Sequence, residues 1–175
     1  MQWSAANASR YRRMRKAMED SKFVYPSFSA VYVLLHTFAH LFIREISNIC
    51  GYSAASIREK IYSEISDENS EVKMCGVLIY VSSADSDSSL GGLISVADDP
   101  DVFETIMDSM LERAGWCSGD PLCISSMKQG YKNLNYAACH DCTLLPETSC
   151  ERFNCFLDRA AVTGLPDYPA LGYFR

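Results

Sequence analysis

The sequence has too little positive charge to coat nucleic acid with its whole surface. Its 175 residues carry 16 Lys and Arg against 22 Asp and Glu, a formal net charge of −6, whereas neutralising phosphates requires a dense array of cations. It also lacks an apolar run long enough to span a bilayer, because the longest, residues 28–43, is too short and contains His36 and His40. Any nucleic-acid contact is therefore expected to be local or made through a partner, and no membrane association is expected.

Other common signatures are missing as well. The N-terminus has no basic-then-apolar secretory pattern, and no P-loop, nucleophile-elbow, kinase or nuclease motif occurs. An independent enzyme is thus not supported, and a cytoplasmic protein with reduced thiols is expected. Because 48% of the residues are apolar and 22% are charged, the chain can bury a core, which excludes disorder or a fibrous architecture for the whole.

Hydrophobic spacing predicts one long central helix. Apolar residues recur at three- and four-residue steps from Phe28 to about Asn48, with few polar positions between them. Ser27 is the predicted N-cap, and Cys50-Gly51 is the predicted stop. A helix with so little polar surface is expected to lie at the centre of the fold.

The remaining pattern predicts an α+β fold in which several helices surround a small sheet. Ile57, Ile61 and Ile65 recur every four residues and predict an amphipathic surface helix. Continuous apolar and β-branched residues over 72–81 predict a buried strand, followed by a turn-rich loop over 82–92. Another amphipathic helix is predicted over 101–114.

A dense basic cluster marks the N-terminal segment. Its members are Arg10, Arg12, Arg13, Arg15 and Lys16, set against an acidic remainder. They form either a solvated helical face or a strip that faces phosphates or an acidic partner. The chain is accordingly divided into a basic N-terminal arm over 1–26, which is the candidate nucleic-acid-binding segment, and a domain over 27–175.

The cysteines of the C-terminal third carry the strongest chemical signal. Cys117 and Cys123 form a widely spaced pair, and Cys139 and Cys142 form a CxxC pair fifteen residues later. A pair, an intervening segment and a CxxC pair is the spacing of a structural zinc site, in which four thiolates close a tetrahedron. These cysteines are the predicted Zn²⁺ ligands of a site that supports folding and not catalysis.

Alternatives to this ligand set remain open at the level of sequence. Cys150 is the predicted alternate ligand, Cys155 follows it, and His140 inside the CxxC motif is a remoter substitute. The number of cysteines is also sufficient to hold an iron–sulfur cluster. Alternatively, the cysteines are small buried hydrophobic residues without a ligand role. A redox CxxC is disfavoured because the strand-then-helix context of thioredoxin is absent.

His36 and His40 lie one turn apart on the predicted long helix. Zinc proteases use this spacing, but the motif His-Thr-Phe-Ala-His lacks the glutamate that activates water. A structural role with both rings hydrogen-bonded in the core is therefore expected. Hydrolysis through this pair and a second metal is the less favoured alternative.

Five segments taken together resemble one known family. They are YVLLHTFAH at 32–40, CGYSAAS at 50–56, SSADSDSSLGG at 82–92, WCSGDPLC at 116–123 and ACHDCTLLPETSC at 138–150. In this order they resemble the MrfA-type zinc-binding (MZB) domain of superfamily-two DNA repair helicases and helicase-associated proteins. The resemblance covers roughly 28–175 and is nearest to the DrmB-like branch of the anti-phage DISARM systems.

The resemblance implies an α+β zinc domain that works beside a helicase motor. It places the metal on Cys117, Cys123, Cys139 and Cys142, and it makes 27–175 an MZB-like zinc-binding domain. The expected function is a non-catalytic accessory role in a helicase-containing complex, with a helicase subunit and DNA as partners. The helicase lobes are missing from this sequence, so the chain is either a subunit that meets its motor in trans or a fragment, and no ATPase activity is carried over. A protein-docking scaffold that never contacts DNA is the alternative.

Overall fold

The structure, a computed structural model, describes residues 2–20, 28–64, 74–82 and 91–174. These ranges form an α+β fold, as predicted, with short helical pieces around a long helix and a two-stranded sheet. The α-helices and strands are α1 (Gln2–Ala8), α2 (Arg12–Asp20), α3 (Ala30–Cys50), β1 (Ile57–Glu64), β2 (Met74–Val81), α4 (Gly91–Asp98), α5 (Pro100–Ala114), α6 (Leu122–Ser125) and α7 (Ala160–Thr163). Among the described helices, none combines the length and the apolar character that a bilayer crossing requires.

The long central helix is confirmed as α3. The Ser29 hydroxyl caps its start by accepting a hydrogen bond from the Tyr32 amide at 3.0 Å, whereas the predicted cap, Ser27, lies outside the described residues. Gly51 ends the helix at a φ of 74°, in the left-handed region that glycine adopts without steric cost. Most of α3 is buried, including His36 and His40.

The surface helix predicted after Ser53 is wrong, because the segment forms strand β1. It pairs antiparallel with β2, from Ile57 opposite Val81 to Glu64 opposite Met74. A four-residue repeat of isoleucine satisfies a period of two as well as a helical period, and the strand alternates accordingly. Ile57, Glu59 and Ser63 are buried on its inward face, so the charged Glu59 occupies a core position.

The other predicted elements are largely confirmed. The strand expected over 72–81 is β2, but it is not buried as predicted: Val77 and Ile79 are half-buried beside α3, whereas the alternate residues Leu78 and Tyr80 are exposed, because only one face of the two-stranded sheet packs on the core. The helix expected over 101–114 is α5, which begins one residue earlier. The Asp99 carboxylate caps α5 by accepting from the amides of Asp101 and Val102 at 3.0 and 3.4 Å. Gly91 and Gly92 do not form the predicted turn, since they begin α4; residues 83–90 lie outside the described ranges.

The largest hydrophobic cluster joins α3 to α5 and α7. Its innermost side chains include Ile43, Ile46, Ile106, Met110 and Ala161, each at most 1% exposed. Among the described residues beyond α5, the regular structure consists of the two four-residue helices α6 and α7, three 3₁₀ turns and two isolated β-bridges, between Gln129 and Asn135 and between Tyr136 and Asp158. Regular secondary structure therefore contributes little to holding the C-terminal third in place.

The basic N-terminal segment packs against the rest of the chain over its described residues. The Trp3 indole donates to the Leu171 carbonyl at 2.6 Å, and the Tyr11 ring stacks on Tyr136 with centroids 6.2 Å apart. Met14 of α2 is fully buried. These contacts attach α1 and α2 to the C-terminal part of the fold.

Arg10 differs from its basic neighbours because it is engaged in a buried ion pair. Its Nε and Nη2 atoms donate to the two Asp158 oxygens at 2.7 and 3.0 Å. The Tyr11 hydroxyl and the Ala160 amide also donate to this fully buried carboxylate, both at 3.0 Å. Burial alone would lower the pKa of Arg10, but the bonds to Asp158 outweigh it and raise that pKa. Arg10 thus fastens α2 to the segment that enters α7.

Replacing Arg10 tests whether this ion pair holds the N-terminal segment. We expect Arg10→Ala to lower the free energy of unfolding by about 3–5 kcal/mol, because the Asp158 carboxylate stays buried without its cation. The exposed Arg12 provides the control, since Arg12→Ala should change stability by no more than about 0.5 kcal/mol. Urea unfolding followed by circular dichroism measures both; equal effects of the two substitutions would contradict the assignment.

Candidate metal centre

The loop that carries the first cysteine pair is anchored to the core. The Asp120 carboxylate accepts from the Cys117 amide at 2.8 Å and from Arg159 Nη2 at 2.6 Å. Arg159 is fully buried, and its Nη1 donates to the Ala114 carbonyl at the end of α5 at 3.1 Å. Cys123 lies in α6, directly after this loop. A buried arginine therefore connects this loop to the end of α5, while its last residues lead directly into α6.

A second arginine fixes the CxxC loop against α3. The Arg44 guanidinium donates to three backbone carbonyls of this loop, those of His140, Asp141 and Leu144, at 3.1, 2.7 and 3.0 Å. A single side chain thus satisfies three carbonyls of a turn that has no regular secondary structure to do so. The His140 side chain itself is exposed and does not belong to the cysteine cluster.

The four cysteines predicted as ligands converge on one point. The sulfur of Cys117 lies 3.5 Å from that of Cys139, and the sulfur of Cys142 lies 3.8 Å from Cys123 and 3.7 Å from Cys139. All four sulfurs lie within 4.8 Å of one another. Tetrahedral zinc with Zn–S bonds of about 2.3 Å separates its sulfurs by about 3.8 Å. The donor set and its spacing therefore fit a zinc ion.

Hydrogen bonds to the sulfurs and burial act in opposite directions on the thiols of this cluster, and the balance differs between them. The Gly119 amide points at the Cys117 sulfur at 3.4 Å, and the Gln129 side-chain amide points at the Cys123 sulfur at 3.6 Å. Burial raises the pKa of Cys139, but backbone N–H groups in the CxxC loop and the bond with Cys117 outweigh it and lower that pKa. Burial raises the pKa of Cys117 and of Cys123.

Cys150, the predicted alternate ligand, lies in a different group of side chains. Its sulfur is 3.2 Å from His36 Nε2. His36 Nε2 is also 2.8 Å from Glu59 Oε1, which in turn lies 3.3 Å from His40 Nε2. The ligand atoms of these four residues lie within 4.8 Å of one another, and none of the residues is more than 5% exposed. Among the described residues the fold thus assembles two groups with the composition of a metal site.

The second group favours the charged forms of its acidic members. Burial would raise the pKa of Glu59, but the two adjacent imidazoles more than offset it and hold that pKa well below its usual range. Burial raises the pKa of Cys150 in the same way, yet His36 and His40 bring it down to about 6. Both shifts come from the two adjacent imidazoles, in a group of side chains that is almost completely buried.

Glu59 is the site residue that the sequence pattern did not reveal. A surface helix with Ile57, Ile61 and Ile65 toward the core would place Glu59 on its solvent side, whereas β1 turns it toward α3. The strand also brings it to His36 and His40, which are about twenty residues away in sequence. The signal that could have found it is the histidine pair on an apolar helix, since buried imidazoles need polar partners from another part of the chain.

Comparison with known proteins agrees with the geometry. A family model described as the MrfA Zn-binding domain matches residues 38–143. The DISARM protein DrmB of Bacillus paralicheniformis is 40% identical to this chain over 145 residues, which is 83% of this chain and 24% of that protein. The chain thus spans about a quarter of the length of this relative. Because the family match extends over most of the chain and contains the whole four-cysteine cluster, the chain belongs to the MrfA Zn-binding domain family.

Proposed function

We propose that the chain is a non-catalytic, zinc-dependent accessory domain or subunit of a helicase-containing DNA-processing complex in anti-phage defence. The observation that carries this proposal is the convergence of four thiols within a segment matched by a Zn-binding family. Similarity to a protein named for the DISARM system supports the defence setting. A cytoplasmic location fits the presence of eight free cysteines, since the cytosol keeps thiols reduced.

Cys117, Cys123, Cys139 and Cys142 would hold the ion. Zn²⁺ bound by four thiolates has no open coordination position, so it supplies a crosslink and not catalysis. The crosslink would join the loop before α6 to the CxxC loop. Since Asp120 and Arg44 tie these loops to α5 and α3, the ion would complete a rigid surface on the C-terminal third.

Removing a proposed ligand tests the zinc site. We expect Cys142→Ser to lose the zinc of this cluster and to lower the unfolding temperature, because metal that binds only the folded chain contributes about 4 kcal/mol when free metal is 1,000-fold above its dissociation constant. Elemental analysis of the purified chain and thermal unfolding with and without a chelator measure both effects. Iron in place of zinc would instead support the iron–sulfur alternative.

Cys75→Ser is the matched control for this experiment. Cys75 is an exposed cysteine in β2 and belongs to neither cluster, so its replacement should leave metal content and unfolding temperature unchanged. A wild-type chain that is fully folded and free of metal would contradict the zinc proposal.

The DNA-contacting surface that we propose is the exposed face of α2. Arg12, Arg15 and Lys16 are three and four residues apart, so they share one face, and Arg13 is adjacent. All four are exposed, whereas Arg10 is occupied by Asp158. The fifth residue of the predicted strip therefore contributes by holding α2 in place.

Replacing the four exposed residues by alanine tests for phosphate contact. We expect Arg12→Ala, Arg13→Ala, Arg15→Ala and Lys16→Ala in one variant to weaken single-stranded DNA binding at least about 10-fold at low salt. For each lost contact the slope of log affinity against log salt should fall by about 0.7. Fluorescence anisotropy titrations at several salt concentrations measure both quantities, and Arg10 is left intact so that the fold is preserved.

A charge-matched pair of variants controls for net charge. Arg12→Ala with Lys16→Ala should weaken binding, whereas Arg58→Ala with Lys128→Ala, which removes two exposed positive charges elsewhere, should not. Equal losses of DNA affinity in the two double variants would show that binding depends on overall charge, and would contradict a specific DNA contact on α2.

An apolar groove favours protein docking as a second candidate function. The groove has a volume of about 620 Å³ and lies between α3 and β2. Its lining is mostly aliphatic and aromatic, including Leu34, Phe38, Phe42, Val77 and Ile79. A groove of this composition suits an apolar segment of a helicase partner. Wild-type chain that binds a helicase partner but shows no DNA binding, alone or in that complex, would favour a pure docking scaffold.

A further inference from the structure

The buried group around Glu59 contains polar atoms that the described part of the chain does not satisfy. Neither Glu59 oxygen has a hydrogen-bond partner there, and the same holds for His40 Nε2. The contact of 2.8 Å between Glu59 Oε1 and His36 Nε2 is close but lacks hydrogen-bond geometry. A buried carboxylate without hydrogen bonds is strongly unfavourable unless a cation accompanies it.

We propose that His36, His40, Glu59 and Cys150 form a second metal site that binds a divalent transition ion, with Zn²⁺ the best match. The site is separate from the four-cysteine cluster and shares no ligand with it. Its role is structural, and its existence does not depend on whether the chain contacts DNA.

The donor atoms have the composition and spacing of a tetrahedral site. Two imidazole nitrogens, one carboxylate oxygen and one sulfur are all accepted zinc ligands, and bond lengths of about 2.0–2.3 Å separate such donors by about 3.4–3.6 Å. The observed contacts of 2.8, 3.2 and 3.3 Å differ from this by at most several tenths of an ångström. The two imidazole planes lie at 89° to each other, so both rings reach Glu59 without stacking.

Surrounding groups orient two of the ligands as metal sites require. His40 Nδ1 lies 3.1 Å from the Thr143 carbonyl oxygen, and because a carbonyl only accepts, Nδ1 carries the hydrogen. Nε2 is therefore free to hold either a second proton or a metal ion on the side that faces Glu59, and a neutral imidazole in this orientation presents its lone pair to the ion. The Cys150 sulfur accepts from the backbone amides of Arg152 and Asn154, each at 3.3 Å, which stabilises a thiolate.

Charge and burial identify a closed, structural site. With an ion bound, one carboxylate, one thiolate and two neutral imidazoles would carry two negative charges, which the divalent ion neutralises; protons on the two imidazoles supply this positive charge when no ion is bound. His36 and His40 are 0% exposed and Glu59 is 1% exposed, so no substrate reaches the group. Hydrolysis through His36 and His40 therefore has no support, although both residues take part in metal binding.

The second site would be linked to the four-cysteine cluster through Thr143. Its carbonyl accepts from His40, and its hydroxyl donates to the sulfur of Cys142 at 3.2 Å. The site also joins α3, β1 and the loop after Cys150, which are distant in sequence. Two ions would thus clamp opposite sides of the CxxC segment.

Counting zinc and identifying its ligands tests the proposal on the intact chain. We expect about two zinc ions per wild-type chain by elemental analysis after removal of loosely bound metal. Because X-ray absorption averages over both sites, the zinc spectrum should show five sulfur ligands and three nitrogen or oxygen ligands in total: four sulfurs from the cysteine cluster, and one sulfur, two nitrogens and one oxygen from the second site. Glu59→Gln and Cys150→Ser should each lower the count to one ion and leave an all-sulfur spectrum.

Matched controls separate this site from the other cluster and from general damage. Glu45→Gln removes a buried carboxylate of α3 that contacts Ser109 and Arg113, and Cys155→Ser removes a buried cysteine outside both groups; both variants should retain two ions. Cys142→Ser should instead keep the ion with mostly nitrogen and oxygen ligands. Two results would overturn the proposal. The first is a wild-type chain that holds one zinc ion with sulfur ligands alone, a result that does not depend on whether the variants fold. The second is the retention of two ions in both Glu59→Gln and Cys150→Ser.

Discussion

The structure depends on the convergence of distant cysteine sulfurs in the C-terminal third. In its described residues this region has four-residue helices, single 3₁₀ turns and two isolated β-bridges, so backbone hydrogen bonding in regular elements contributes little to its order. Instead, Asp120 with Arg159 and Arg44 with three carbonyls bring two loops to one point, where four sulfurs lie at zinc-like spacing. A crosslink between loops that are already aligned requires little further ordering, which is why the arrangement suits a structural ion.

The central helix α3 connects the C-terminal third with the centre of the fold. The helix α3 presents Arg44 to the CxxC loop and, one and two turns earlier, His40 and His36 to Glu59 and Cys150. One helix therefore contacts both the CxxC loop and the buried group around Glu59. This explains why α3 is buried along most of its length although it carries charged and imidazole side chains.

Much of this fold could be predicted from the sequence, and the exceptions have a common physical cause. The helix α3, the strand β2 and the four clustered cysteines were predictable because their periodicity and spacing are local properties of the chain. Glu59 was not, since a four-residue isoleucine repeat fits both a helix and a strand, and only contact with α3 selects the strand. Cys150 was grouped with the neighbouring cysteines because they are close in sequence, whereas the fold directs it to His36, 114 residues away.

The role of Arg10 in the basic N-terminal segment also could not be predicted from the sequence. Charge alone grouped Arg10 with four exposed residues, but Arg10 neutralises a buried carboxylate 148 residues away. Sequence composition identifies where positive charge is dense; it does not distinguish a solvated cation from one that the core requires. Only the tertiary contacts show that Arg10 has a structural role while the basic residues of α2 remain accessible.

The most direct test of the account is amide hydrogen exchange on the chain before and after metal removal. If the sulfur crosslink orders the C-terminal third, residues 117–155 should lose protection together when metal is removed, while α5 and the centre of α3 retain more of theirs. Unchanged protection across 117–155 in the metal-free chain would contradict the central claim.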